Sequence, residues 1–170
     1  NNVDGSANSA FGDSSLGNNV GGYSNSAFGS VSMENNTDGY QNSAFGTNAL
    51  RSNTTGDNNI AFGFNTFGTT TVNNTGNNNV AIGNLSLFDN TTGASNVAIG
   101  TQALNKNTEG NNNVGIGVGA LADNTTGENY TAVGYNALAS VNNGSGFGSS
   151  AFGSNALTNT VTGTFNSAFG

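Results

Sequence analysis

Apolar and polar positions along this chain recur with a period of 17 residues, and the unit repeats ten times. It reads G-x-x-x-x-[AG]-[FIV]-G-x-x-x-[LMF], followed by a polar loop. A large apolar residue precedes the second glycine of each unit: Phe11, Phe28, Phe45, Phe62, Ile82, Ile99, Ile116, Val133, Phe152 and Phe169. Five residues later comes a second large column: Leu16, Met33, Leu50, Phe67, Leu87, Leu104, Leu121, Leu138 and Leu157. In Asn79-Val80-Ala81-Ile82-Gly83, Val80 and Ile82 fall on one face and Ala81 on the other, the period of two that marks a strand. Two glycines per unit argue against helix, each costing about 1 kcal/mol there. A short fixed period means that each turn of chain stacks on the one before. The pattern therefore predicts an all-β parallel β-solenoid, or β-roll, of ten coils. Each coil is expected to hold two short strands with the second glycine at the bend, and both large columns are expected to point into one narrow core.

The remaining columns refine this picture. The glycine spacing is 17 residues except for one step of 20, around Gly68–Val72, and one of 19, around Val141–Ser145. Both additions fall at the same loop corner, where extra length can protrude without breaking the stack. Two places before the [FIV] residue stand Ile60, Val80, Val97 and Val114 in the middle coils, but Ser9, Ser26, Ser43, Ser150 and Ser167 towards the ends. The middle is accordingly expected to be the driest part. Asn25, Asn42, Asn59, Asn79, Asn96 and Asn113 share a column, and stacked Asn side chains form amide ladders. The loops Asn53–Gly56, Asn90–Gly93 and Asn124–Gly127 read Asn-Thr-Thr-Gly, suited to side-chain bonding with local backbone. At about 4.8 Å per coil the stack would be a rod on the order of 45 Å long.

If the large residues point inward, the small ones point outward. Ala44, Ala61, Ala81, Ala98 and Ala132 belong to a column interrupted only by Gly115; Ser15, Ser32, Ala49, Thr66, Ser86 and Ala103 belong to a second. A slender core is thin support for so many ordered residues. A row of alanines suits close packing against a second rod, so a parallel homo-oligomer with these alanines near a shared axis is expected.

Composition removes most chemistry. The chain has no Cys, no His and no Pro, only two basic residues (Arg51 and Lys106) and a net charge of −7. Nucleic acid needs clustered Lys or Arg and is not an expected partner. No apolar run is long enough to cross a membrane, so no membrane insertion is expected. Without His there is no Ser-His-Asp triad. The acids scatter over loops without a convincing pair, no catalytic, cofactor-binding or metal-binding residue is assigned, and no enzymatic activity is expected. Asn-x-Ser/Thr occurs at Asn35, Asn53, Asn73, Asn84, Asn90, Asn124, Asn129 and Asn143, cheap matches in so Asn-rich a chain. Tyr23, Tyr40 and Phe147 share a loop-edge column; with the corner residues Thr70 and Asn143 they are the candidate contacts for a cell-surface glycan or protein receptor.

The segments NVAIGTQALNKNTEGNN (Asn96–Asn112) and NVAIGNLSLFDNTTG (Asn79–Gly93) resemble the head repeats of YadA-like trimeric autotransporter adhesins, and similar repeats in phage tail fibres and bacterial surface fibres. The likeness runs through all ten coils, from Asn8–Gly12 to Asn166–Gly170. It implies a left-handed parallel β-roll in a parallel homotrimer, used as a stalk or adhesive head. The coils here are longer than is usual in that family, and Phe is common where the adhesins prefer Ile. The whole of 1–170 then reads as one repetitive segment of a longer fibrous protein, extracellular, on a cell surface or on a virion. Its expected role is a rigid rod that presents loops for multivalent attachment, with trimer or filament neighbours as partners. An ice-binding solenoid and a glycan-degrading spike are the alternative readings.

Overall fold

The computed structural model describes residues 5–68, 73–141, 148–159 and 164–170. Each coil contributes one three-residue strand: β1 Ser9–Phe11, β2 Ser26–Phe28, β3 Ser43–Phe45, β4 Ile60–Phe62, β5 Val80–Ile82, β6 Val97–Ile99, β7 Val114–Ile116, β8 Thr131–Val133, β9 Ser150–Phe152 and β10 Ser167–Phe169. They form one parallel sheet in sequence order, β1 to β10. The chain is a β-solenoid, and the described residues contain no helix. Equivalent repeat positions pair at every step: Ala27 lies beside Ala44, Ala61 beside Ala81 across the 20-residue step, and Ala132 beside Ala151 across the 19-residue step. The strand register is thus kept across both longer steps.

The second strand expected in each coil is a chain of turns. Its cause is a recurrent left-handed backbone: in the sixth coil Ser95, Gln102 and Leu104 have φ of 59°, 60° and 50°. The whole Leu column shares this conformation, as at Leu50 (50°) and Leu138 (49°). An L-residue there costs about 1–2 kcal/mol, and burying a Leu side chain returns about 1.5–3 kcal/mol. The bent backbone still bonds alternately up and within the coil. Leu104 N–H donates to Ala120 O (2.9 Å) and Lys106 N–H to Ala122 O (3.0 Å), while Asn107 N–H turns back to Leu104 O (3.1 Å).

The core is built from the opposite face of the strands to the one expected. Ala27, Ala44, Ala61, Ala81, Ala98, Ala132 and Ala151 have no exposed surface, and neither have Ala49, Ala103, Ala120 and Ala137 of the second small column. Ala44, Ala61, Ala81, Ala98 and Ala132 are therefore interior to the single chain and do not reach a partner. Facing them, Leu50, Leu87, Leu104, Leu121 and Leu138 are fully buried, as expected. The large strand residues instead point to solvent: Phe11, Phe28, Phe45, Phe62, Ile82, Ile116 and Phe152 are exposed, and Ile99 and Val133 are half-buried. Ile60, Val80, Val97 and Val114 share that outer face, so the middle coils are not a drier interior; Ile60 is itself exposed.

Available width explains the inversion. A β-carbon added at Gly115, which stands in the alanine column, would lie 3.4 Å from Leu104 Cγ and 3.1 Å from Ala120 O. A methyl group fills the gap between the strand and the opposite wall. Nothing the size of Phe fits beside Leu.

Polar side chains complete the interior. The expected Asn ladder is present and begins one coil earlier, at Asn8: Asn25 N–H donates to Asn8 Oδ1, Asn42 N–H to Asn25 Oδ1, and so on to Asn113, each at 2.9 Å. Each ladder amide from Asn25 to Asn113 also donates to a glycine carbonyl of the next coil, as Asn96 does to Gly110 O (2.8 Å). Tyr130 closes the column, fully buried, its N–H on Asn113 Oδ1 (3.0 Å). A second ladder runs through the Asn-Thr-Thr-Gly corner. Asn36 Nδ2 donates to Asn19 Oδ1 (2.7 Å), Asn53 to Asn36 (2.7 Å), Asn107 to Asn90 (2.9 Å) and Asn124 to Asn107 (2.8 Å). The same amides close their own loops, Asn53 on Gly56 O and Asn90 on Gly93 O, both at 2.9 Å. These corners require glycine: a β-carbon at Gly39 would sit 2.5 Å from both Asn36 Oδ1 and Gly56 O.

The corner ladder breaks at the 20-residue step. Asn74 occupies the next rung but donates to Asn90 O (3.0 Å) and accepts from Gly76 N–H (2.8 Å), and Asn53 Oδ1 is left buried without a partner. The Phe column is disturbed at the same coil. Phe28 and Phe45 stack within 2° of parallel, whereas Phe62 tilts 29° from Phe45.

Candidate interaction surfaces

Two strand positions face outward in every coil, and they make the most distinctive surface of the rod. One column is Phe, Ile or Val, the other Ser, Val, Ile or Thr, and neither carries a charge. The aromatic part is ordered as a stack, with Phe28 and Phe45 centroids 5.0 Å apart and Phe152 and Phe169 5.2 Å apart. Beyond the bend glycine a third column adds exposed Phe64, Val118 and Tyr135. The sequence marked the [FIV] column as important and assigned it to the wrong side. The signal that could have corrected this is the invariably small residue between the two outward positions.

The loop edge holds a second feature. Tyr23 and Tyr40 stack with centroids 4.9 Å apart and rings within 2° of parallel; Tyr23 is exposed and Tyr40 half-buried. Asp57, one coil further on, accepts Tyr40 N–H (3.0 Å), and its negative charge raises the Tyr40 phenol above its ordinary pKa. Phe147, Thr70 and Asn143, named with these tyrosines as candidate contacts, lie outside the described residues.

Charged side chains pair along the axis. Arg51 Nε contacts Glu34 Oε2 at 2.9 Å, and Lys106 Nζ contacts Asp123 Oδ1 at 2.8 Å. The bond to Asp123 and its charge raise the Lys106 pKa; burial raises that of Asp89 against the opposing pull of Lys106. Among the described residues no group of three acids gathers in a metal-binding arrangement. The hydroxyls of Thr37, Thr54, Thr91 and Thr108 each donate to a carbonyl of the next coil, at 3.0–3.2 Å. Of the Asn-x-Ser/Thr sites, Asn53, Asn90 and Asn124 are buried ladder rungs, closed to an attached glycan; Asn73, Asn84 and Asn129 are exposed.

Comparison with protein families, with curated proteins and with solved structures finds no match to this chain.

Proposed function

We propose that this chain is a rigid structural and adhesive segment of a fibre, displayed outside the cell or on a virion, that holds loops at fixed spacing for multivalent attachment. The observation that carries the reading is the unbroken register of ten strands, kept across both insertions, with the continuous Asn8–Asn113 ladder spanning the first of them. Such a shaft transmits length and orientation, and affinity then comes from many weakly binding copies. The shaft is proposed to consist of parallel copies of the chain, three on the likeness drawn from the repeats. A cell-surface glycan or protein is the proposed receptor, with the Tyr23–Tyr40 pair as the described contact.

Ice binding has less support. One hydroxyl of each of the corner pairs Thr54-Thr55 and Thr91-Thr92 is committed to a backbone carbonyl of the next coil, which leaves Thr55 and Thr92 as single exposed residues and not a paired Thr array. No observation favours a glycan-degrading spike. Electron micrographs should show a thin straight rod on the order of 45 Å long per ten coils. A multivalent display of the chain should hold to cells or glycan surfaces, and Tyr23→Ala with Tyr40→Ala should weaken that hold. Globular particles, or attachment unchanged by the double variant and equal to that of a blank display, would sink the reading.

A further inference from the structure

In six corners of the rod the asparagine three places before the first glycine is buried: Asn19, Asn36, Asn53, Asn90, Asn107 and Asn124. Its Nδ2 donates to the carbonyl of that glycine, at 2.9–3.1 Å. From Asn36, Asn53, Asn107 and Asn124 it donates as well to Oδ1 of the rung before. The corner after the 20-residue step has the same spelling, Asn73-Asn74-Thr75-Gly76, with asparagine at the same place. There Asn73 is exposed, and Asn74, one residue later, is turned in instead. The other six corners have Val20, Thr37, Thr54, Thr91, Thr108 and Thr125 where this one has Asn74.

The acceptors that Asn73 would serve keep their places. A β-carbon at Gly39 would lie 2.5 Å from Asn36 Oδ1 and from Gly56 O, and 2.7 Å from the Asn53 Nδ2 that bonds the first of them. At Gly56 the same point meets Asn53 Oδ1 and, at 2.5 Å, Gly76 O; the third neighbour is Asn59 Nδ2 at 3.1 Å, which belongs to the other ladder. Asn53 Oδ1 is the one buried side-chain atom without a partner among the described residues. A buried acceptor without a donor disfavours the state that holds it.

The backbone is already in register for a second seating. Thr54 N–H donates to Asn74 O as Thr37 N–H donates to Thr54 O, both at 2.9 Å. Asn73 turned in would donate to Asn53 Oδ1 and Gly76 O and would offer its own Oδ1 to Asn90 Nδ2. Asn74 turned out would give up Asn90 O (3.0 Å), Ser52 O (2.9 Å) and the Gly76 N–H (2.8 Å). Gly76 N–H would then stand where Gly39 and Gly93 N–H stand, which donate to the threonine carbonyl of the next coil at 3.3 and 3.2 Å.

We infer that this corner is a two-position catch. With Asn74 in, the corner ladder is parted; with Asn73 in, it runs unbroken from Asn19 to Asn124. The strand pairing is the same in both, so the catch joins or parts two coils at one edge without moving the sheet. A pull on the chain entering at Asn73 favours the parted position.

Unfolding equilibria of four chains test this, with circular dichroism as the check on folding. Asn74→Thr gives the corner the spelling of Asn53–Gly56 and should be at least as stable as the wild type. Asn73→Ala alone should change the unfolding constant by no more than about twofold, because Asn74 holds the seat. Asn73→Ala added to Asn74→Thr should raise that constant about tenfold or more, and this failure of additivity is the signature of a shared seat. The Asn73 side-chain amide protons should become protected from exchange with water in Asn74→Thr. In the wild type, the Asn53 side-chain amide should show relaxation dispersion that Asn73→Ala removes. An Asn74→Thr chain that is itself about tenfold destabilised or fails to fold, or whose Asn73 amide stays open to water, overturns the second seat. Identical Asn53 dispersion profiles in the wild type and Asn73→Ala overturn the catch.

Discussion

Leu104 and Ile99 are isomeric side chains five positions apart in one coil, each in a column that is large and apolar from end to end. Leu104 has no exposed surface, while Ile99 sits half-open on the outside of the sheet. Hydrophobicity therefore does not decide which column the rod seals. Space does: the strand column facing Leu104 is small, a β-carbon at Gly115 already lying 3.4 Å from Leu104 Cγ, and Ile99, next to Ala98 of that column, falls on the other side by strand alternation. A narrow solenoid takes its large residues from one wall only.

The strongest way to break this contrast is Leu104→Ala, which opens a cavity that a stiff stack cannot collapse. It should cost about 2–5 kcal/mol and lower the melting temperature accordingly. Asn96→Ala comes next. It strands Asn113 N–H in the interior, at about 1–3 kcal/mol, while Gly110 C=O loses one of two donors and keeps Asn107 Nδ2; thermal or denaturant unfolding would register the loss. Ile99→Ser, measured on the dissociated chain, should cost under about 1 kcal/mol, because that residue is only half-buried there. A loss as large as that of Leu104→Ala would erase the distinction between the two columns. The smallest effect is expected at Asp89. Burial raises its folded pKa, so the carboxylate opposes folding at neutral pH, and the protein gains stability as pH falls through the Asp89 folded pKa. Asp89→Asn should therefore stabilise slightly at neutral pH, and the advantage should fade below the ordinary carboxylate range.

How much of this was legible in the residues follows the same division. Identity at fixed spacing reveals what stacks on what, so the coils, the parallel register and the Asn25–Asn113 ladder could all be read from repetition. Alternation reveals that Val80 and Ile82 share a face. It does not say which face is inward, and ranking by size gave the wrong answer because the interior is only a methyl group deep on that side. The left-handed Leu column left no trace, since Leu does not favour positive φ and adopts it here only because the stack demands it. Tyr130 was likewise silent: it breaks the Asn column by name while keeping the column's backbone bond. For the outward surface, repetition located the residues, and only coordinates could turn them around.

The gap between Asn53 and Asn74 also bears on how the rod comes into being. Within each stretch of the corner column every amide leans on the coil before it, so a finished coil acts as a mould for its successor and ordering spreads like a zip fastener. Where the acceptor on Asn53 goes unused, that fastener has to be started afresh, while the Asn59–Asn79 contact and the β4–β5 pairing carry the template across. The corner column is in this sense two short runs joined end to end, and loss of order that travels along its amides has a natural place to halt between them.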